Sequence, residues 1–252
     1  ASGTASDFGL WSPEQKSVAK HKVPSRVLAM SWTPDGALLT LGLFSGVVSL
    51  RDKSGQEKFA VERPAPIWSL EWNPSRDETT LLAVGCWDST SSGPGTLTFY
   101  ECANISGDRS TLTQHGREKV LGFDPCRISH FSNGEYLCIG GSDHKASLWT
   151  KDGVRLTTIA ELGDWAWCCV PRPNQNYVAV GSNDGKITMH QLLFSTVHGL
   201  HKERYAYRDY MTDVVVQHMP NPNQSLRIKC RSYVKKIAIY KDRLAVQLQD
   251  RC

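Results

Sequence analysis

Val27-Leu28-Ala29-Met30-Ser31-Trp32, the turn Thr33-Pro34-Asp35-Gly36, then Ala37-Leu38-Leu39-Thr40-Leu41-Gly42 and, past Phe44-Ser45-Gly46, Val47-Val48-Ser49-Leu50-Arg51-Asp52 form the unit from which the whole chain is read. Its apolar runs are short and are broken by Pro-Asp-Gly and Ser-Gly turn signals, so the unit is a meander of short strands. The pattern recurs. Ile67-Trp68-Ser69-Leu70-Glu71-Trp72 leads to Leu81-Leu82-Ala83-Val84-Gly85 and Thr96-Leu97-Thr98-Phe99-Tyr100-Glu101. Cys126-Arg127-Ile128-Ser129-His130-Phe131 leads to Tyr136-Leu137-Cys138-Ile139-Gly140 and Ala146-Ser147-Leu148-Trp149-Thr150. Trp165-Ala166-Trp167-Cys168-Cys169-Val170 leads to Tyr177-Val178-Ala179-Val180-Gly181 and Ile187-Thr188-Met189-His190.

The equivalent glycines Gly42, Gly85, Gly140 and Gly181 are spaced 43, 55 and 41 residues apart. A period of ~40–45 residues holding several short strands marks WD-type β-propeller blades, and the fold class is all-β. The longer gap asks for an insertion, at residues 88–95 or 102–122, both rich in turn-forming or charged residues. The closing Trp-Asp dipeptide of such blades is degenerate here: Leu10-Trp11, Arg51-Asp52, Tyr100-Glu101, Trp149-Thr150 and His190-Gln191 stand in its place. Blade count therefore rests on the period. Asp7-Phe8-Gly9-Leu10-Trp11-Ser12 reads as the third strand of a blade whose earlier strands are absent. Four blades and a part make a partial propeller, and the chain reads as a piece of a longer product.

The 252 residues are 40% hydrophobic and 21% charged, an ordinary globular balance with no apolar run near the ~18 residues of a membrane span. The first residues, Ala1-Ser2-Gly3-Thr4-Ala5-Ser6-Asp7, lack the features of a signal peptide and read as a cut end. Eight tryptophans are expected in deep, well-packed sites. The eight cysteines follow no zinc or disulfide spacing, and several sit inside apolar runs, which points to buried thiols in a reducing compartment. The sequon Asn104-Ile105-Ser106 matters only on a secretory route, which is not expected.

Charge is uneven. Residues 201–252 carry 11 Lys and Arg against 5 Asp and Glu, and residues 1–200 carry 18 against 20. The expected organisation is later blades of a propeller over 1–197, a junction over 198–225 broken by Pro220-Asn221-Pro222-Asn223, and first strands of a second propeller over 226–252. Lys236-Ile237-Ala238-Ile239-Tyr240 and Leu244-Ala245-Val246-Gln247-Leu248 read as a hairpin around Lys241-Asp242-Arg243.

Chemistry-bearing motifs are sparse. Phosphate loops, dinucleotide fingerprints and His-Glu-x-x-His are absent. Ser142-Asp143-His144 are chain neighbours, which a strand points to opposite faces, so they read as a turn rather than a triad. His198-Gly199-Leu200-His201 would bring two imidazoles together on a helix, but without a third ligand it makes no metal site. Vicinal Cys168-Cys169 on a strand turns one thiol to the core. No catalytic residue, cofactor site or metal site is expected. The candidate interface is Lys202, Arg204, Tyr205, Tyr207 and Arg208, where basic and aromatic residues interleave. A protein interface is favoured there over nucleic acid for want of a groove-reading motif. The alternative is a generic WD-repeat module meeting nucleic acid or acidic lipid through the basic tail.

Longer runs carry a resemblance. Asp7-Phe8-Gly9-Leu10-Trp11-Ser12-Pro13-Glu14-Gln15-Lys16-Ser17-Val18, Trp72-Asn73-Pro74-Ser75-Arg76, Phe194-Ser195-Thr196-Val197-His198-Gly199-Leu200, Lys202-Glu203-Arg204-Tyr205-Ala206-Tyr207-Arg208-Asp209 and Met211-Thr212-Asp213-Val214-Val215-Val216-Gln217-His218 resemble the intraflagellar transport protein 122 family, WD-repeat subunits of complex A. Val234-Lys235-Lys236-Ile237-Ala238-Ile239-Tyr240 continues it. The resemblance spans nearly the whole chain in order. It implies a non-enzymatic scaffold with two tandem propellers and a helical solenoid, of which only part is present here. It further implies other complex A subunits as partners, with dynein-2 and complex B indirectly, and no membrane insertion. The implied location is the cilium, at axoneme and basal body, and the cytoplasm. The implied roles are retrograde transport and ciliary entry of membrane proteins.

Overall fold

The computed structural model describes residues 2–3, 6–14, 16–75, 80–87, 95–103 and 111–249. Among the described residues the chain forms seven antiparallel sheets in sequence order. The first holds β1 (Ser2–Gly3), β2 (Asp7–Leu10) and β3 (Ala19–Lys22). The second holds β4 (Val27–Trp32), β5 (Leu39–Leu43), β6 (Val47–Arg51) and β7 (Glu57–Glu62). The third holds β8 (Ile67–Trp72), β9 (Thr80–Cys86), β10 (Thr96–Ala103) and β11 (Thr111–Val120). The fourth holds β12 (Pro125–Phe131), β13 (Tyr136–Gly141), β14 (Lys145–Thr150) and β15 (Arg155–Glu161).

The fifth holds β16 (Ala166–Pro171), β17 (Tyr177–Ser182) and β18 (Ile187–Gln191). The sixth holds β19 (His198–His201), β20 (Arg204–Asp209), β21 (Asp213–His218) and β22 (Asn221–Lys229). The seventh is the expected hairpin, β23 (Val234–Tyr240) with β24 (Arg243–Leu248). Among the described residues the one helical element is the 3-10 turn Ser132–Gly134, and no helix is long and apolar enough to cross a membrane.

Each of the four equivalent strands β4, β8, β12 and β16 lies against the next, so the sheets stack as propeller blades with these strands innermost. The core sits between blades, as separate layers. Phe8, Leu10, Leu39 and Leu41 fill the gap between the first two sheets. Leu50, Ile67, Leu70 and Leu82 fill the next, Phe99, Ile128 and Leu137 the third, and Cys138, Leu148, Cys169 and Val178 the fourth. A sixth-to-seventh layer is built on Ala206, Val214, Val234 and Ile237.

The repeated glycine has a physical reason. A Cβ on Gly42 would stand 2.5 Å from Ile67 Cγ2, on Gly85 2.7 Å from Pro125 Cγ, and on Gly140 2.6 Å from the Ala166 carbonyl oxygen. In each case the second strand of a blade passes the first strand of the next too closely for a side chain. Gly181, in the fifth sheet, would meet only Cys168 Cβ of its own sheet, at 3.5 Å. Blades are pinned by polar contacts too. The buried Trp72 donates from Nε1 to Thr40 Oγ1 of the preceding blade at 2.8 Å. Trp72→Phe removes the pyrrole half of the indole with its N–H, which strands the Thr40 hydroxyl and leaves a small void, and thermal denaturation is expected to show a loss of about 2 kcal/mol.

Three features differ from the sequence reading. Residues 198–225, read as a junction, hold β19 to β21 and the start of β22, which begins inside the Pro-Asn-Pro-Asn run at Asn221. The chain reverses at Met219-Pro220, where His218 pairs with Asn221, and continues as sheet. The fourth repeat is not a complete blade: the fifth sheet stops at three strands, leaving β18 as an edge with Ile187 81% and Met189 64% exposed. Of the two insertion stretches, 102–122 includes strand β11, and residues 88–94 and 104–110, with the sequon, lie outside the described residues.

Candidate functional site: the aromatic mouth and the seam

Every innermost strand opens with the same irregularity. The ladder slips between Val27 and Ala29, Ile67 and Ser69, Pro125 and Arg127, and Ala166 and Cys168. A bulge leaves one residue unpaired and re-aims its side chain. The four bulged residues are Leu28, Trp68, Cys126 and Trp167. With Met30 and Arg127 among their neighbours, they line a cavity of about 340 Å³ at the centre of the blades. Trp68 touches Trp87 at 4.8 Å and Trp167 at 5.7 Å between ring centroids, and Trp167 touches Trp165 at 5.6 Å. Trp167 donates from Nε1 to Asn183 Oδ1 at 3.1 Å, and Asn183 donates to Asp164 Oδ2 at 2.8 Å. The Asn183 amide, with the Trp165 backbone N–H, holds the Asp164 carboxyl below its ordinary range.

The tryptophans are therefore not all in deep sites: Trp11, Trp32 and Trp167 are exposed by 57%, 37% and 39%. Rigid aromatic area beside a hydrogen-bonded carboxylate suits the anchoring of another protein. The tryptophans were visible in the sequence, but their convergence depends on bulges, which leave no residue signature.

The same inner strands carry Glu71 and His130, with Arg127 Nη2 at 3.7 Å from Glu71 Oε2. Burial pushes the His130 ring down to about 3 and the Glu71 carboxyl up. A histidine depressed in the fold takes its proton first in the unfolded chain, so its share of stability falls as pH drops from ~6.5 towards about 3. Glu71 works in the opposite sense, so the test is a difference. Between pH 7 and 5.5, unfolding free energies from urea titration should fall more for the wild type than for His130→Gln, by roughly 1.2 kcal/mol in all. Parallel curves would contradict this.

The candidate interface on β19 and β20 is only partly a free surface. Lys202 is exposed in the hairpin turn, with φ of 53°. Arg204 donates from Nη1 to Lys241 O at 2.9 Å. Tyr205 and Tyr207 stack on each other at 5.4 Å, and His198 packs on Tyr205 at 5.9 Å. Arg208 is an internal clamp: Nη1 donates to Tyr233 Oη and to Val234 O, each at 2.8 Å, and Nη2 to Ser195 O. Its guanidinium also lies 4.9 Å from the Tyr233 ring centroid.

Arg208 thus belongs to a seam where the fifth sheet gives way to the sixth. Phe194 stacks on Phe131 at 5.9 Å and on Tyr136 at 5.4 Å. The β20–β21 turn places Tyr210 and Met211 at φ of 46° and 65°, a left-handed pair that usually calls for Asn and Gly. Met211 packs into the layer of Leu148 and Phe131, while Tyr210, half exposed, lies between Lys151 and Arg227, 5.3 and 5.6 Å from its ring centroid.

The other sequence candidates resolve locally. His198 and His201 lie on strand β19, not a helix; His201 meets Tyr240 at 4.7 Å while His198 faces Tyr205, so the two rings diverge. Ser142 Oγ accepts from Asp124 N and Asp143 Oδ1 from Lys145 N, as in a turn. Cys169 is fully buried with its thiol pushed well up by burial, and Cys168 faces out. Burial likewise pushes Cys126 and Cys138 up to about 12. No group of three His, Cys, Asp or Glu among the described residues could hold a metal.

Comparison with known proteins decides the family. The profile described as IFT122 first beta-propeller matches residues 1–191, and that described as IFT122 second beta-propeller matches residues 198–252. The chain belongs to the intraflagellar transport protein 122 family. It is 54% identical over 256 residues to the intraflagellar transport protein 122 homolog of Xenopus tropicalis, and equally to that of Mus musculus; each alignment covers 100% of this chain and 20% of the relative. The human homolog is 44% identical over 315 residues. The chain therefore spans about a fifth of the length of these intraflagellar transport protein 122 relatives.

Among solved structures, the Cps50 (Swd1) β-propeller domain of Myceliophthora thermophila matches with TM-score 0.59 at 12% identity, over 99% of this chain and 90% of that one. A chain of the mitotic checkpoint complex matches with TM-score 0.57 at 16% identity, over 99% of this chain and 81% of that one. These likenesses carry the propeller fold alone. Within the intraflagellar transport protein 122 family the two profiles part at residues 192–197, the segment that Phe194 and Arg208 tie down.

Proposed function

We propose that this chain is the blade-and-seam portion of a non-catalytic WD-repeat scaffold of intraflagellar transport complex A. The observation that carries the reading is the ordered match to both propeller profiles of one intraflagellar transport family. Residues 1–191 are later blades of the first propeller and residues from 198 begin the second. The partners are other complex A subunits, with dynein-2 and complex B engaged indirectly in transport trains. The work is retrograde movement along the axoneme and admission of membrane proteins to the cilium, with basal-body and cytoplasmic pools. The tryptophan mouth supplies a rigid docking surface, as propellers bind through loops and channel ends rather than by chemistry.

The arginines at 204, 208 and 227 are engaged within the fold, which favours this reading over a nucleic-acid or lipid module. Rescue of cells lacking the protein tests it. The full-length form should restore return of material from ciliary tips, and a stably folded Trp68→Asp/Trp167→Asp form should not. Failure of the wild type to rescue, or full rescue by the double variant, would count against the scaffold or against the mouth, respectively.

A further inference from the structure

The tryptophan mouth has an apolar floor and an acidic rim. Bulges at the starts of the inner strands turn Leu28, Trp68 and Trp167 onto the cavity of about 340 Å³, which Ala29 and Met30 wall further. That volume is at the small end of ligand pockets and suits one bulky side chain rather than a cofactor. Arg127 is the charged residue on its wall. Its Nε donates to Ser129 Oγ at 3.4 Å and its Nη2 lies 3.7 Å from Glu71 Oε2, so the guanidinium turns along β12, away from the strand starts.

The turns beside Trp165 and Trp167 carry Asp143, Glu161, Asp164 and Asp184 against Lys145 and Lys186. Both lysines are engaged, Lys145 with Glu161 and Lys186 with Asp184, each at 3.2 Å. Asp143 and Asp164 are partly exposed and have no ion-pair partner among the described residues. Burial first, then the nearby carboxylates of Asp124 and Asp143, push up the Cys126 thiol on the cavity wall, which sets Asp143 at the mouth. Asp164 is tied to it through Asn183, which holds both that carboxylate and the Trp167 indole.

We propose that the mouth docks a segment of a partner protein in which one bulky apolar side chain is followed by arginine: the apolar group fills the cavity against Trp68 and Trp167, and the guanidinium meets the Asp164 carboxylate. The inference rests on the mouth being a docking surface and names the chemistry of what docks there. Arginine suits the rim because its planar head stacks on an indole while it bonds a carboxylate. Asn183 fixes the Trp167 ring and the Asp164 carboxylate in one geometry before anything binds, which lowers the cost of ordering them. An acidic segment, a phosphate backbone or an anionic headgroup would meet Asp143 and Asp164 as like charges.

The test is fluorescence anisotropy of a labelled Gly-Ser-Phe-Arg-Arg-Ser-Gly peptide titrated with the purified full-length protein. Trp167→Ala should weaken binding about tenfold, and Asp164→Asn about threefold to fivefold. Asparagine keeps the oxygen that accepts from Asn183, so Asp164→Asn removes the charge alone. An Asp242→Asn control, at an exposed acid on the β23–β24 turn, should match the wild type. Peptides with Ser for Phe, or with Glu for both Arg, should bind about tenfold more weakly or worse. No binding by the wild type, equal binding by wild type and the two mouth variants, or tighter binding of the Glu peptide would overturn the inference. None of these outcomes touches the scaffold reading, which fails only if complex A subunits do not co-purify with the full-length protein.

Discussion

Gly140→Ala is expected to destabilise the protein by about 2 kcal/mol, because overpacking a tight contact costs roughly 1–3 kcal/mol. The added Cβ would stand 2.6 Å from the Ala166 carbonyl oxygen, a backbone atom that cannot turn aside. The fourth and fifth blades must part to admit it, loosening the layer of Cys138, Cys169 and Val180. Gly181→Ala is the matched control: same position in the repeat, with only an ordinary 3.5 Å contact to Cys168 Cβ. Neither glycine has a left-handed φ, so backbone strain does not enter the comparison. Denaturant midpoints should separate the two variants clearly. If both lose stability equally, the repeated glycine is not a spacer between blades.

Arg208→Met should cost about 2 kcal/mol at the seam, since a charged donor serving two part-buried acceptors contributes more than a neutral one, while the exposed Ser195 carbonyl can turn to water. The residue ties Ser195 of the connecting segment to Tyr233 and Val234. Methionine retains the stem but leaves the two part-buried acceptors unmet. Hydrogen exchange should rise at residues 194–197 and 233–235 and stay unchanged in β13 and β14. Lys in its place should rescue little, because one ammonium cannot reproduce the planar fork that spans these partners. Unchanged exchange would show that the two units are registered by Phe194, Tyr210 and Met211 alone.

The blades were legible because their repeat is written in strong local signals. Gly42, Gly85 and Gly140 recur where blade meets blade, and turn residues such as Thr33-Pro34-Asp35-Gly36 separate the strands. Local signals misled where tertiary contacts override them. Pro220-Asn221-Pro222-Asn223 looks like a break but is a turn into β22, because β21 offers a partner edge. His198 and His201 were placed on a helix only in the absence of the pairing with β20.

The site was the least legible part. The convergence of Trp68, Trp87, Trp165 and Trp167 depends on blade curvature and on bulges, which no residue type announces. Arg208 was picked out for its charge and its aromatic neighbours, and those same properties made it an internal clamp, which only the fold can distinguish from an exposed anchor.

Affinity purification of the tagged full-length protein from ciliated cells, with quantitative mass spectrometry of what co-elutes, tests the central claim most directly. The scaffold account predicts the other complex A subunits in near-stoichiometric amounts, stable to moderate salt. Their absence, with nucleic acid or lipid recovered in a salt-sensitive manner instead, would contradict it and turn attention to the basic C-terminal strands.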